Sequence, residues 1–278
     1  MSRAYEEALR RAVQTALDED LAGYGDVTGA VFAGLAAARV VARQDGVCSG
    51  ARVLETAARL TDVSLRVDVR VADGERFDAG RVLAVVEGSA AAILAIERTV
   101  LNFLGRLSGV ATLTAAYVEE TAGTSTRIAA TRKTTPGLRA LEKRAVIDGG
   151  GIPHRFGLFD GVMVKDNHVA AAGGVLAAAA LIRAQAPHAH GFEIEVDRLD
   201  QIEDALQAHP DVILLDNMDV ATVREAVRRI NRRAIVEVSG GVSLERVREF
   251  AACGVDVISV GALTTRAPWI DVALDMEE

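Results

Sequence analysis

The chain has 278 residues, half of them apolar, and carries a formal net charge of −8. That acidity argues against nucleic acid or an anionic membrane as the main partner, since both demand an extended basic surface, and leaves small anionic substrates open. The length suits one barrel or two domains sharing a core, and no segment reaches the ~20 unbroken apolar residues of a membrane span.

Residues 4 to 20 repeat apolar groups at helical spacing (Ala8, Ala12, Val13, Ala16, Leu17), which predicts an amphipathic helix ending before the turn Gly23-Tyr24-Gly25-Asp26. From about 36 to 87 the pattern changes to short apolar runs, Val40-Val41, Val67 to Val71 and Val82 to Val86, broken by Asp73-Gly74 and Ala79-Gly80. Antiparallel strands joined by tight turns are expected there. Two helices follow, roughly 89 to 106 and 108 to 122, the second opening on Ser108 as its N-cap.

After residue 125, short β-branched or apolar runs alternate with helical segments. The strands are expected at 161–164, 192–196, 212–215, 235–238 and 255–260, with helices at 170–186, 199–208, 219–231 and 243–253. A βαβα series of this kind implies a parallel sheet or barrel. Lys165, Glu195, Asp216, Ser239 and Gly261 sit at or just after five successive strand ends. In an α/β barrel those ends converge on one mouth, where active sites are built; ordinary turns also place polar residues there.

Between Arg127 and His168 eight Lys and Arg face four Asp and Glu, so that stretch carries +4 and the remainder −12. A positive pocket in an acidic molecule suggests a focused site for a small anion. Arg132, Arg155 and Lys165 offer charge-assisted bonds to carboxylates, each contributing roughly 1.5 to 3 kcal/mol when desolvated, and His154 offers a further bond or a proton. Glu195 and Asp216 would be neighbouring acids able to hold Mg²⁺, directly or through water; salt bridges to Arg132 and Lys165 are the competing reading. Ser239-Gly240-Gly241 opens toward a helix start and lets backbone N–H groups approach a phosphate, with Gly261 on the next loop. Cys48 and Cys253 lack metal-ligand spacing, and the N-terminus lacks a signal-peptide core, so free thiols and a cytoplasmic location are expected.

Taken in order, these blocks resemble the quinolinate phosphoribosyltransferase family, the type II phosphoribosyltransferases, over nearly the whole chain. The matching motifs are Leu17-Asp18-Glu19-Asp20-Leu21, Gly25-Asp26-Val27-Thr28, Glu97 to Asn102, Leu107 to Thr112 and Thr131-Arg132-Lys133-Thr134. His154-Arg155, Lys165-Asp166-Asn167-His168, Glu193-Ile194-Glu195-Val196, Leu215-Asp216-Asn217 and Ser239-Gly240-Gly241 complete the series.

The resemblance implies an α/β sandwich domain over 1–112 and an incomplete α/β barrel over 113–265, with 266–278 packing back on the first domain. It implies a homodimer or higher oligomer in which Arg98 acts in trans, and a site where Arg98, Thr131, Arg132, Lys133, His154, Arg155 and Lys165 surround quinolinate. Glu195 and Asp216 would face the ribose and Mg²⁺-pyrophosphate, and Ser239, Gly240, Gly241 and Gly261 the 5-phosphate; Lys133, Lys165, Glu195 and Asp216 form the implied catalytic set. The implied reaction joins the phosphoribosyl group of phosphoribosyl pyrophosphate to quinolinate with loss of CO₂, giving nicotinate mononucleotide in NAD biosynthesis.

Ala130, Arg144 and Pro153 depart from the family pattern, Arg144 adding charge near the site. These departures leave room for a same-fold transferase acting on a related aromatic carboxylate. A Schiff-base aldolase using Lys165 and a non-catalytic phosphosugar-binding module are the readings from other classes.

Overall fold

The computed structural model describes residues 3–186 and 190–277. In chain order the first elements are α1 (Arg3–Leu21), β1 (Leu35–Ala42), β2 (Gly46–Val47), α2 (Ala51–Thr61), β3 (Arg66–Val69), β4 (Arg76–Phe77), β5 (Val82–Ser89), α3 (Ala90–Glu120), β6 (Arg127–Ala129) and α4 (Arg139–Asp148). Then follow β7 (Val162–Val164), α5 (Asp166–Ala172), α6 (Val175–Arg183), β8 (Phe192–Val196), α7 (Ile202–Gln207), β9 (Val212–Asp216), α8 (Val220–Ile230), β10 (Ile235–Ser239), α9 (Val247–Ala251), β11 (Val257–Ser259), α10 (Ala262–Thr265) and β12 (Val272–Met276).

The chain divides into two units, and three separate stretches (1–115, 134–150 and 263–278) make up the first. Its main sheet runs β12-β1-β5-β3 with antiparallel neighbours, and β2 pairs with β4 beside it. The C-terminal strand thus lies against β1, with Val40 opposite Leu274. In α1 the buried residues Leu9, Val13 and Leu17 recur every fourth position, forming one apolar stripe, and α1 packs on α2 and α4.

The second helical region is one helix, not two. Ser108 lies in the middle of α3, fully buried, where its Oγ accepts a hydrogen bond from the Ser49 N–H at 3.1 Å instead of capping a new helix. Gly105 and Gly109 lie within α3, where their missing side chains leave room for the carbonyls of Ile270 and Pro268; a Cβ would fall 2.8 and 2.0 Å from them.

The second unit comprises 116–133 and 151–262. Its six strands are ordered β6-β11-β10-β9-β8-β7, every neighbouring pair parallel. Ile152 adds a parallel bridge to Ala129 on the free edge of β6. Among the described residues no bridge joins Ile152 to β7, so this is an incomplete α/β barrel with its opening there. The helix expected at 170–186 is split into α5 and α6 by Gly173 and Gly174, both at positive φ.

Cys48 and Cys253 are free and buried. Among the described residues no helix is long and apolar enough to cross a membrane.

Candidate active site

Strands buried on both sides usually read as continuous apolar runs, but the central strands of the second unit alternate. Val164, Ile194, Val196, Ile213, Leu215, Val236 and Val238 occupy one face, all buried. The other face carries Met163, Glu193, Glu195, Asp216, Glu237 and Ser239. Register sets Glu195 and Glu237 on either side of Leu214, and Ser239 beside Asp216.

Toward the strand ends, Lys165 follows β7 and its Nζ lies 2.5 Å from Glu195 Oε2. Asp216 accepts a bond from Asn217 Nδ2 at 2.6 Å. Burial and then the Glu195 charge raise the Asp216 pKa, while Asn217, Lys165 and Lys133 oppose the rise. Lys133, Lys165, Glu195 and Asp216 therefore share one local field. Both partners of the expected acidic pair are present, with Lys165 as the direct partner of Glu195. The carboxylates repel each other, and their hard oxygen donors fit a small divalent cation such as Mg²⁺.

The glycine loops have specific steric reasons. Gly240 has φ +83°, and a Cβ there would stand 2.3 Å from Asn217 Oδ1; Gly241 has φ +62°. The Asn217 N–H donates to the Ser239 carbonyl at 2.9 Å, joining the loops after β9 and β10. A Cβ on Gly261 would lie 3.0 Å from Lys133 Cδ and 3.8 Å from Thr131 Oγ1, and that hydroxyl accepts from the Lys133 N–H at 3.0 Å. Thr131, Lys133 and Gly261 are thus one cluster.

On the basic side, Arg155 donates to the Gly161 carbonyl at 3.3 Å and contacts Met163 Sδ at 3.1 Å. Burial lowers its pKa, and Glu193, Arg132, Asp160 and Glu195 are the charges it feels. His154 directs both ring nitrogens at protein groups: Nδ1 lies 2.7 Å from the Arg155 N–H, and Nε2 lies 3.2 Å from Glu237 Oε1 and 3.8 Å from Glu193 Oε2.

Glu193 and Glu237 were not singled out as site residues from sequence. They are 8% and 4% exposed. Burial and then Glu237 push the Glu193 carboxyl up to about 7, against the pull of His154, Arg155 and Lys165. Glu193 Oε1 is buried without a hydrogen-bond partner among the described residues. The available signal was the alternation itself, since Glu193 and Glu237 interrupt runs that burial would otherwise keep apolar.

Arg98 is the expected site residue that belongs to the first unit. It projects from α3 with its side chain 66% exposed, 3.9 Å from Glu97, beside a cavity of about 430 Å³ that Glu19, Asp20, Asn102 and Trp269 also line. Of the three departures from the family pattern, Arg144 also lies in the first unit, and its charge is taken up by Asp148 at 2.7 Å. Ala130 is fully buried and its N–H donates to the Ile152 carbonyl at 2.9 Å, so the position suits a small apolar residue.

Fold and site define an α/β-barrel protein whose mouth pairs acidic strand ends with basic groups and glycine loops, the equipment for phosphorylated and carboxylated substrates. The quinolinate phosphoribosyl transferase N-terminal domain matches residues 26–108, and its C-terminal domain matches 110–275. The chain belongs to the quinolinate phosphoribosyl transferase family. It is 42% identical over 281 residues to the nicotinate-nucleotide pyrophosphorylase [carboxylating] of Mycobacterium leprae, covering 97% of this chain and 98% of that one. It is 38% identical over 290 residues to the quinolinate phosphoribosyltransferase [decarboxylating] 2, mitochondrial, of Nicotiana glauca, covering 97% and 82%. The crystal structure of the nicotinate-nucleotide pyrophosphorylase from Ehrlichia chaffeensis superposes with a TM-score of 0.93 at 35% identity, covering 100% of this chain and 99% of the other.

Proposed function

We propose that this chain transfers the phosphoribosyl group of phosphoribosyl pyrophosphate to the ring nitrogen of quinolinate and releases CO₂ and pyrophosphate, leaving nicotinate mononucleotide. The observation that carries this reading is the ion pair of Lys165 with Glu195 beside Asp216, which feels the charges of both and of Lys133, in a chain whose relatives bear these enzyme names.

Arg132, Arg155 and Lys165 bind the two carboxylates of quinolinate, Arg155 and Arg132 through guanidinium forks and Lys165 as a point charge. N–H groups of the Ser239-Gly240-Gly241 loop and of Gly261 hold the 5-phosphate. Glu195 and Asp216 face the ribose, where positive charge develops at C1 as the bond to pyrophosphate breaks and the bond to nitrogen forms. Mg²⁺, when bound with the pyrophosphate by Glu195 and Asp216 directly or through water, supplies positive charge to the leaving group. Lys133 adds a fixed charge on the same side. Once the nitrogen carries the ribose, the cationic ring accepts the electron pair left by CO₂, and a proton then fills the vacated carbon. Positioning does the rest, and no protein nucleophile is needed.

The working unit in this reading is a homodimer or higher homo-oligomer, in which Arg98 of a second copy completes the carboxylate contacts. Incubation with quinolinate, phosphoribosyl pyrophosphate and Mg²⁺ tests the function: CO₂ and pyrophosphate should appear in equal amounts. Absence of a nucleotide product across pH and substrate concentration would sink it.

A further inference from the structure

We propose that Glu237 is a positioning residue: it locks His154 in its Nε2–H tautomer and so fixes the turn that aims Arg155. The reasoning starts from the backbone. The Arg155 N–H can only donate, and it sits 2.7 Å from His154 Nδ1, so that nitrogen must present its lone pair. In a neutral imidazole the proton then resides on Nε2. Nε2 in turn faces a carboxyl oxygen of the buried Glu237, Oε1, at 3.2 Å, with Glu193 Oε2 at 3.8 Å.

This tautomer also decides between two uses of the cluster. His154, Glu193 and Glu237 place ligand atoms within 4.8 Å of one another, a composition that could hold a metal ion. Ligation through Nε2 would need its lone pair, which moves the proton onto Nδ1, directly against the Arg155 N–H. The geometry therefore favours a hydrogen-bonded strut over a cation site.

The strut has something to hold. His154 has φ +51°, a left-handed conformation that is uncommon for a residue with a β-carbon. Beyond that bend, the Arg155 guanidinium meets two neutral acceptors, the Gly161 carbonyl at 3.3 Å and Met163 Sδ at 3.1 Å. Among the described residues no carboxylate lies within ion-pairing distance of the Arg155 guanidinium, so apart from these two contacts its aim depends on the backbone that His154 and Glu237 set.

The inference rests on Arg155 binding a substrate carboxylate, as proposed above. The test compares Glu237→Leu with Glu237→Gln, whose amide oxygen can still accept from Nε2–H. Glu237→Leu should raise the KM for quinolinate about ten-fold, the equivalent of one lost hydrogen bond, with kcat and the KM for phosphoribosyl pyrophosphate little changed. Glu237→Gln should stay near the starting enzyme. Equal loss in both variants, or an unchanged quinolinate KM in Glu237→Leu, would overturn the proposal.

A second measurement stands apart from turnover. The chain has five histidines, so ¹⁵N-histidine labelling with His154→Gln for assignment resolves the ring of His154. An Nε2–H tautomer, unmoved by added Zn²⁺, is expected; an Nδ1–H tautomer or a zinc-induced shift would overturn the strut. If the chain never turns over quinolinate, the functional reading fails while this measurement still decides the tautomer. If Glu237→Leu does not fold, the labelled starting protein still tests the proposal, because an Nδ1–H ring there would overturn it, and Glu237→Gln keeps the kinetic comparison with the starting enzyme.

Discussion

Arg106 and Glu142 form a buried ion pair inside the first unit, with the carboxylate fully buried and the guanidinium side chain 15% exposed. Glu142 Oε1 accepts from Arg106 Nε at 3.1 Å and Nη2 at 2.7 Å, and from Thr135 Oγ1 at 2.8 Å, while Oε2 accepts from the Thr135 N–H at 2.9 Å. Arg106 also donates to the carbonyls of Thr264 and Ala267, so one guanidinium ties α3, α4 and the C-terminal segment together. Removing one partner leaves a buried charge uncompensated, at a cost of about 3–5 kcal/mol. Arg106→Leu should therefore lower Tm by roughly 10 °C by calorimetry, and Arg106→Leu with Glu142→Leu should recover part of the loss. A double variant no more stable than Arg106→Leu alone would show that the carboxylate is not the stranded group.

The two adjacent glycines after β10 should respond differently to alanine. Both have positive φ, but a Cβ on Gly240 would stand 2.3 Å from Asn217 Oδ1 and 2.9 Å from its backbone nitrogen, whereas one on Gly241 would be 4.0 Å from the same oxygen. Backbone atoms cannot swing away as a flexible side-chain tip can. Gly240→Ala should displace the loop and raise the KM for phosphoribosyl pyrophosphate by at least about ten-fold, the equivalent of roughly 1.4 kcal/mol. Gly241→Ala should carry mainly the smaller backbone strain, on the order of 1–3 kcal/mol in stability. Steady-state kinetics beside thermal melts separate the two, and equal effects on KM would contradict the steric argument.

Periodicity made the parallel strands legible because apolar runs of about five residues between helical segments have few other readings. It failed at Ser108, where a good N-cap residue is held instead by a distant backbone, a contact that local sequence does not encode. It also passed over β6 and α4: β6 is three residues long, and α4 has several charged residues that hide its buried face. Glu195 and Asp216 were readable from their places at strand ends. Glu193 and Glu237 lie deeper in β8 and β10, where their meeting with His154 depends on register between strands.

Arg98 provides a test of assembly. If Arg98 of one copy serves the site of another, Arg98→Ala and Arg132→Ala each inactivate a homo-oligomer through different chains. Mixed oligomers then contain some sites in which both arginines come from intact positions. Co-refolding or prolonged exchange of the two inactive proteins should restore up to about a quarter of the activity for random mixing into dimers with independent sites, following the reciprocal geometry of a two-fold assembly. Proven subunit exchange without recovered activity would remove Arg98 from a role in trans.

Glu193 gives the protein a pH dependence whose sign follows from its surroundings. Its carboxyl is raised from an ordinary value of 4.5 to about 7, by burial first and by Glu237 second, so the folded chain binds a proton there more tightly than the unfolded chain does. The stability this proton contributes is fully present below about 4.5 and is lost as pH rises through about 7. Glu193→Gln, which resembles the protonated carboxyl at every pH, should match the starting protein near pH 4.5 and exceed its stability at pH 8. Denaturant melts of both proteins across this range, with a chelator present so that bound cations do not contribute, measure the difference directly. Titrating groups remote from this cluster act on both proteins alike, so the difference between the two curves isolates Glu193 together with the neighbours it is coupled to, Glu237 first among them. Parallel curves would mean that Glu193 ionises in the folded chain as readily as in the unfolded one.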